Sequence, residues 1–448
     1  MKLLLVRPIV MNGLTFSRSM DCEPLELEIL SAAAAMEGVE TVIYDGIVET
    51  RRFSDVVRKE QPDAAAITGY ITQENAMKRY ARIVKEVRPR CVTALGGVHV
   101  QLNPDRLRDW SVDFLQRSES TEAFRLWLRA LRWGGPFDGI NGLCVRRGEE
   151  WTDNPLTPCD IADTPLPDRS FRDRYADRFR YLDFERVSTL KTAVSCPFDC
   201  AFCYGTHLHG GRYQALPPER VADELEAMEA QTVFIVDSDF LVEERRLRAL
   251  LGALRERGIR KRFLCYARAD FLAEHPALVN DLCAAGFTWF LVGFEGIRDD
   301  RLAAYRKGTT RSVNEECLRV VREAGGECVA LLIADLSFTG EDFRAVARWV
   351  RDQRIRIASL SVYTPIPPTA PYREAEERLL TRRPERWDLL HPVLRPEAMS
   401  TAEFTLRYRW TLLKLFWHGR RQGAYRFVTA RYVGASLVWW WKRRRTLR

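Results

Sequence analysis

Three cysteines lie within one short stretch: Cys196, Cys200 and Cys203, spaced C-x3-C-x2-C. Thiolates are soft ligands, and three so close in sequence can wrap one compact metal centre. A 4Fe-4S cube held by three cysteines keeps one iron open for a further ligand. His207, four residues past Cys203, opens an alternative, a closed zinc site of three sulfurs and one imidazole. Phe202 and Tyr204 are aromatic neighbours suited to shielding a cluster from water. The 448-residue chain has 11 cysteines, an odd number. That count argues against a disulfide scaffold and for reduced thiols or metal ligands.

Other residues able to do chemistry stand where apolar runs end. Asp237 and Asp239 follow the run Thr232–Val236, Arg268 follows Phe263–Ala267, and Glu295 follows Trp289–Phe294. Thr68 and Gly69 close the run Ala64–Thr68, Gly96 and Gly97 close Cys91–Leu95, and Ser118 follows Val112–Leu115. Paired glycines at a strand end let backbone approach a ligand closely. For each charged group the alternative is a solvated or salt-bridged loop end.

The elements that must position these groups follow from periodicity. Residues 1–134 alternate strand-like runs with helical stretches, which predicts a doubly wound parallel sheet with ligand loops at the carboxyl ends of its strands. Residues 135–186 read as a small hairpin around Arg147-Gly148 and a Pro-rich linker. Residues 187–382 carry six further strand–helix units: too few for an eight-stranded barrel, suited to a partial one with its site at the strand C-termini. Residues 383–448 read as a helical extension rich in Trp, Tyr, Phe and Arg. The predicted class is therefore α/β.

With those residues in place, the chain resembles the radical S-adenosylmethionine (SAM) enzymes, whose signature is C-x3-C-x2-C with an aromatic before the third cysteine. The resemblance implies a partial (β/α)6 barrel and a 4Fe-4S cluster on Cys196, Cys200 and Cys203. The cluster would chelate SAM and cleave it to a 5′-deoxyadenosyl radical. It also implies that Asp237 and Asp239 hold the amino end of SAM, although the usual Gly-Gly-Glu is absent. Arg268 would pair with its carboxylate, and Glu295 would bind ribose hydroxyls or the amino group. Lys307-Gly308-Thr309-Thr310 matches a common sequence of these enzymes but suggests no chemistry. The first domain resembles the cobalamin-binding domain fused ahead of many such barrels, through Thr68, Gly69, Gly96, Gly97 and Ser118. The Asp-x-His-x-x-Gly motif that supplies a cobalt-ligating histidine is missing, and His99 reads as a hydrogen-bonded loop histidine. The combined resemblance spans about residues 1 to 390 and implies methyl transfer from cobalamin to an unactivated carbon, with no catalytic side chain identified. Alternatives are a radical oxidative cyclase or rearrangement enzyme, and a zinc- or cobalamin-binding regulator without catalysis. The segment Tyr363–Thr369 with Trp387–His391 is similar to hopanoid C-3 methylases and favours a lipid or other small hydrophobic substrate. An electron donor such as flavodoxin or ferredoxin is the expected partner.

The net charge of +8 is unevenly distributed. Residues 403–448 carry twelve Lys and Arg against one acid, Glu403, so the rest of the chain is slightly acidic. That disfavours reading the whole surface as a nucleic-acid platform. The first residues do not form an export signal, since Arg7 interrupts a short apolar run, and a cytoplasmic enzyme is expected. The tail's indoles beside its cations suit peripheral contact with the inner membrane face. The other reading is that Trp410 and Trp417 cap the barrel core.

Overall fold

The structure, a computed structural model, describes residues 1–9 and 19–446. The chain divides into two compact units. One comprises Met1–Phe179, His207–Gln214 and Ala430–Arg448; the other comprises Arg180–Thr206 and Ala215–Thr429.

In the first unit, Leu3, Leu4, Leu5 and Val6 are all fully buried, as in a strand covered on both faces. They belong to β1 (Lys2–Arg7), which is joined by β2 (Glu40–Asp45), β3 (Ala64–Thr68), β4 (Val92–Gly96) and β5 (Phe114–Gln116). These run parallel in the order β2-β1-β3-β4-β5. Successive side chains of β1 face opposite sides. Leu4 and Val6 pack with Phe53, Val56, Met77 and Tyr80, while Leu3 and Leu5 pack with Leu27, Phe124 and Trp127. The covering helices are α1 (Leu25–Met36), α2 (Phe53–Glu60), α3 (Glu74–Val87) and α4 (Thr121–Trp133). The strand order reverses direction between β1 and β3, and a doubly wound sheet binds ligands outside the strand C-termini at such a point.

The hairpin expected to lie in the linker is part of this sheet. Its strands, β6 (Leu143–Arg147) and β7 (Glu150–Asp153), extend the sheet antiparallel beyond β5. The sheet is thus mixed, parallel within and antiparallel at one edge. Arg146 anchors the hairpin, donating to Asp113 at 3.0 Å and to the Val112 carbonyl at 2.7 Å. Buried Asn154 donates to the carbonyls of Phe137 and Ile140.

The second unit is built on six parallel strands, each hydrogen-bonded to the next in chain order. They are β8 (Ser188–Leu190), β9 (Thr232–Ile235), β10 (Arg262–Arg268), β11 (Phe287–Glu295), β12 (Glu327–Ala334) and β13 (Ile357–Val362). Helices lie between successive strands, α5 (Gly340–Asp352) being the last before β13. This is the expected partial barrel. The register of β11 slips between Gly293 and Glu295, and Glu295 has φ +59°.

The expectation of helix from about Arg383 needs correcting. Pro384, Pro392 and Pro396 remove backbone donors, and the segment stays largely irregular up to Ser400. It is held by Trp387, whose indole N–H donates to the Pro365 carbonyl at 2.9 Å. Helix α6 (Thr401–Arg421) begins where Ser400 accepts from the Glu403 N–H. It packs through Phe404, whose ring lies 5.3 Å from that of Phe343, and through Tyr408, which donates to the Leu360 carbonyl at 2.9 Å. Trp410 and Trp417 are exposed on it and do not cap the core. Helix α7 (Ala430–Thr446) belongs to the first unit. No helix among the described residues is long and apolar enough to cross a membrane.

Candidate active site and cofactor loops

The cysteine loop follows the short strands that open the barrel. Cys196, Cys200 and Cys203 are all half-buried and unpaired by disulfides. The Cys203 sulfur accepts from the Gly205 N–H at 3.3 Å, and the Ala201 N–H is fixed to the Tyr305 carbonyl at 2.9 Å. Burial pushes the Cys196 thiol up to about 11 and also raises that of Cys203. Both therefore stay protonated until a metal competes for the sulfur. Phe202 packs edge-on against Tyr305, which stacks on Tyr363. Burial lifts the Tyr204 hydroxyl to about 12. Among the described residues, no three His, Cys, Asp or Glu side chains converge as they would on a single ion.

Asp237 and Asp239 separate in role. Asp237 accepts from the Thr192 N–H at 2.6 Å, the Thr192 hydroxyl and the Ala193 N–H at 3.0 Å. It latches the backbone just ahead of the cysteine loop. Asp239 is only 4% exposed. One of its oxygens accepts from the Leu241 N–H at 3.2 Å, and the other is buried without a hydrogen-bond partner. Burial raises its carboxyl to about 7, with Lys307 and Arg268 pulling the other way.

Arg268 reaches the cluster loop directly. It donates to the Cys200 sulfur at 3.6 Å, grips Asp270 at 2.6 and 3.0 Å, bonds the Lys307 carbonyl, and lies 3.9 Å over the Phe198 ring. Its fork is thus engaged within the protein. Glu295 meets the buried Lys307 ammonium at 3.0 Å. Burial opposes that charge, yet Glu295 and Cys200 together outweigh it and Lys307 is raised. A Cβ on Gly293 would fall 2.4 Å from the Glu295 carboxylate and 2.8 Å from the Lys307 nitrogen, so glycine makes room for the pair. Lys307, singled out by sequence without a role, is therefore a member of this site. Asn314, fully buried, donates to the carbonyls of Phe294 and Gly296 and holds the end of β11.

In the first unit, Thr68, Gly69, Gly96, Gly97 and Ser118 gather at the C-terminal ends of β3, β4 and β5. Gly97 has φ +90°, and a Cβ there would lie 2.4 Å from the Thr68 hydroxyl. The turn requires glycine. Gly69 accepts from the His99 N–H. The Ser118 hydroxyl accepts from the Ser120 N–H at 3.1 Å. His99 is bound to Glu74 at 2.9 Å, as a structural loop histidine. Sequence reasoning missed His209, which no spacing marks. It is 4% exposed. Its N–H donates to the Gln101 side chain, and its Nδ1 stands 3.8 Å from the Cys159 sulfur and 3.9 Å from Glu119. Its Nε2 is buried without a hydrogen-bond partner, as is the Oε1 of Gln116 at the end of β5.

Three loop thiols with an arginine on one sulfur fit a cluster held by sulfur donors. The free buried oxygen of Asp239 fits an ammonium group. The unsatisfied buried atoms of His209 and Gln116 fit a polar cofactor at the first sheet.

Comparison with known proteins agrees with both halves. The radical SAM superfamily model matches residues 190–350, and the B12 binding domain model matches residues 11–127. The hopanoid C-3 methylase of Methylococcus capsulatus is 26% identical, over 85% of this chain and 74% of its own length. The anaerobic magnesium-protoporphyrin IX monomethyl ester cyclase of Cereibacter sphaeroides is 22% identical, over 80% of this chain and 60% of its own. Among solved structures, the radical SAM methyltransferase TsrM of Kitasatospora setae, with cobalamin and a 4Fe-4S cluster bound, superposes with a TM-score of 0.71. The match covers 93% of this chain and 90% of that one at 18% identity, a likeness of fold. The chain thus carries a B12-binding domain ahead of a radical SAM domain, the arrangement found in cobalamin-dependent radical SAM enzymes.

Proposed function

We propose that the chain is a methyltransferase that places a methyl group on an unactivated carbon of a hydrophobic substrate, a lipid-like molecule or a secondary metabolite. The observation that carries this reading is the loop of Cys196, Cys200 and Cys203 together with a buried carboxylate, Asp239, that has one oxygen free. When bound, the cluster with SAM supplies hydrogen abstraction from carbon, and cobalamin supplies the methyl group. Cys196, Cys200 and Cys203 would hold the cluster through their thiolates. Asp239 accepts the SAM ammonium in a charge-assisted bond. Glu295, oriented by Lys307, faces the ribose hydroxyls or the same amino group. Arg268 acts as a positioning residue, tying Cys200 to Asp270 and to the Lys307 backbone, and Asp237 positions the loop through Thr192. Thr68, Gly69, Gly96, Gly97 and Ser118 bind cobalamin, with His209 beside them. The rings of Phe198, Phe202, Tyr305 and Tyr363 keep water from reactive species. The electron donor is a flavodoxin or ferredoxin, and the enzyme works in the cytoplasm. The substrate class draws on the hopanoid methylase relative and on the Tyr363–Thr369 and Trp387–His391 segments.

The test is anaerobic reconstitution followed by turnover with deuterated methyl-SAM. About four irons per chain are expected, with labelled methyl carried into product. Cys200→Ala should abolish SAM cleavage. Product formed without the label would leave cyclisation or rearrangement in place of methylation. Zinc in place of iron would end the enzyme reading altogether.

A further inference from the structure

Helix α6 has two faces of different character. Phe404, Tyr408, Thr411, Leu415 and Gly419 are buried against the barrel unit. On the opposite side Leu406, Trp410, Leu413 and Trp417 are 70%, 58%, 42% and 53% exposed. At 3.6 residues per turn these four fall within about 60° of arc. They form one continuous apolar stripe along three turns. Arg409 flanks the stripe on one side and Lys414 on the other, and Arg420 and Arg421 close its end; all four are exposed. Lys414 stands over the Trp410 ring at 5.9 Å. The one acid in the helix, Glu403, is at its start and is bonded to Arg407 at 2.9 Å. An exposed stripe of indole and leucine bordered by cations on both sides is unsuited to water. It is suited to an anionic lipid surface, where the apolar side chains enter the headgroup boundary and the cations meet phosphates.

We propose that the outer face of α6 docks the enzyme on an anionic membrane surface, lying in the plane of the interface. The docking stands on this helix alone. Its consequence, that substrate is taken from the bilayer, rests on the reading of the enzyme as a lipid methyltransferase. The docking face lies on a helix whose other side is packed against the barrel unit.

The full-length protein is sedimented with vesicles of phosphatidylcholine and of phosphatidylcholine containing phosphatidylglycerol. Binding is expected only to the phosphatidylglycerol vesicles, and it should weaken as salt rises. Arg409→Ser with Lys414→Ser should lower the partition coefficient by roughly 25-fold, about fivefold for each cation. Trp410→Ser with Trp417→Ser should lower it at least as much, with the iron content of the reconstituted protein unchanged. These residues are exposed, so loss of fold does not account for the effect. The proposal is overturned if the wild type stays in solution, or if the indole variant binds as well as the wild type. It is also overturned if Arg443, Arg444 and Arg445→Ser abolishes binding while the α6 variants retain it. Conversion of a wild-type dimer to a monomer by the indole substitutions, with vesicle binding unaltered, would assign the stripe to a second copy of the chain. Because vesicle binding needs no turnover, an enzyme that docks but transfers no methyl refutes the function and leaves the docking standing.

Discussion

Asp239→Asn should move stability and SAM affinity in opposite directions. Burial raises the Asp239 carboxyl from 3.8 to about 7. The unfolded chain releases this proton near 3.8, while the folded protein keeps it to about 7. Between those values the folded state binds the extra proton, so stability falls as pH rises and levels off above 7. The full difference is worth up to about 4 kcal/mol, and asparagine never pays it. The cofactor-free variant should therefore match the wild type near pH 4 and exceed it by a few kcal/mol at pH 8, read by chemical unfolding across that range. SAM binding should suffer instead. Removing one charge-assisted bond to the ammonium costs about 1.5–3 kcal/mol, or roughly 10- to 150-fold in affinity, measured by equilibrium dialysis on the cluster-loaded protein. Wild-type affinity should weaken below pH 7 as Asp239 protonates, while the variant's should stay flat. A variant that binds SAM as tightly as the wild type would refute the assignment of Asp239. A variant with the same pH–stability curve would refute the burial argument.

Three further outcomes follow from the same geometry. Gly97→Ala forces a side chain into φ +90° with its Cβ 2.4 Å from the Thr68 hydroxyl; it should destabilise the first unit by about 2–3 kcal/mol and abolish hydroxocobalamin binding followed by absorbance. His209→Ala should weaken cobalamin binding about tenfold or more by removing a buried imidazole nitrogen left unsatisfied, whereas His99→Ala, which breaks the bond to Glu74, should act mainly on stability. Lys307→Met leaves Glu295 without its partner at 3.0 Å and should cost about 3 kcal/mol in unfolding experiments; adding Glu295→Gln should recover part of that loss, and full additivity of the two substitutions would show that they do not interact.

What could be read from sequence was local. The cysteine spacing is complete within one loop, and the barrel strands are apolar runs because a parallel strand buried on both faces has no polar alternation. What could not be read depended on partners distant in the chain. Asp237 and Asp239 looked equivalent as two carboxylates at the end of β9. In extended chain, residues two apart share a face, so nothing in their spacing separates them. The separation comes from Thr192, 45 residues earlier, which occupies Asp237 and leaves Asp239 free. The same holds for the hairpin, whose turn is evident at Gly148 while its place on the sheet edge depends on Asp113 accepting from Arg146. It holds for His209, made notable only by Cys159, 50 residues before it, and by Glu119. Lys307 shows the limit most clearly. Its sequence neighbourhood attracted notice, yet its chemistry depends on the register slip at the end of β11. That slip, at a residue with positive φ, turns Glu295 toward the Lys307 ammonium, and the missing side chain of Gly293 leaves the space for them to meet.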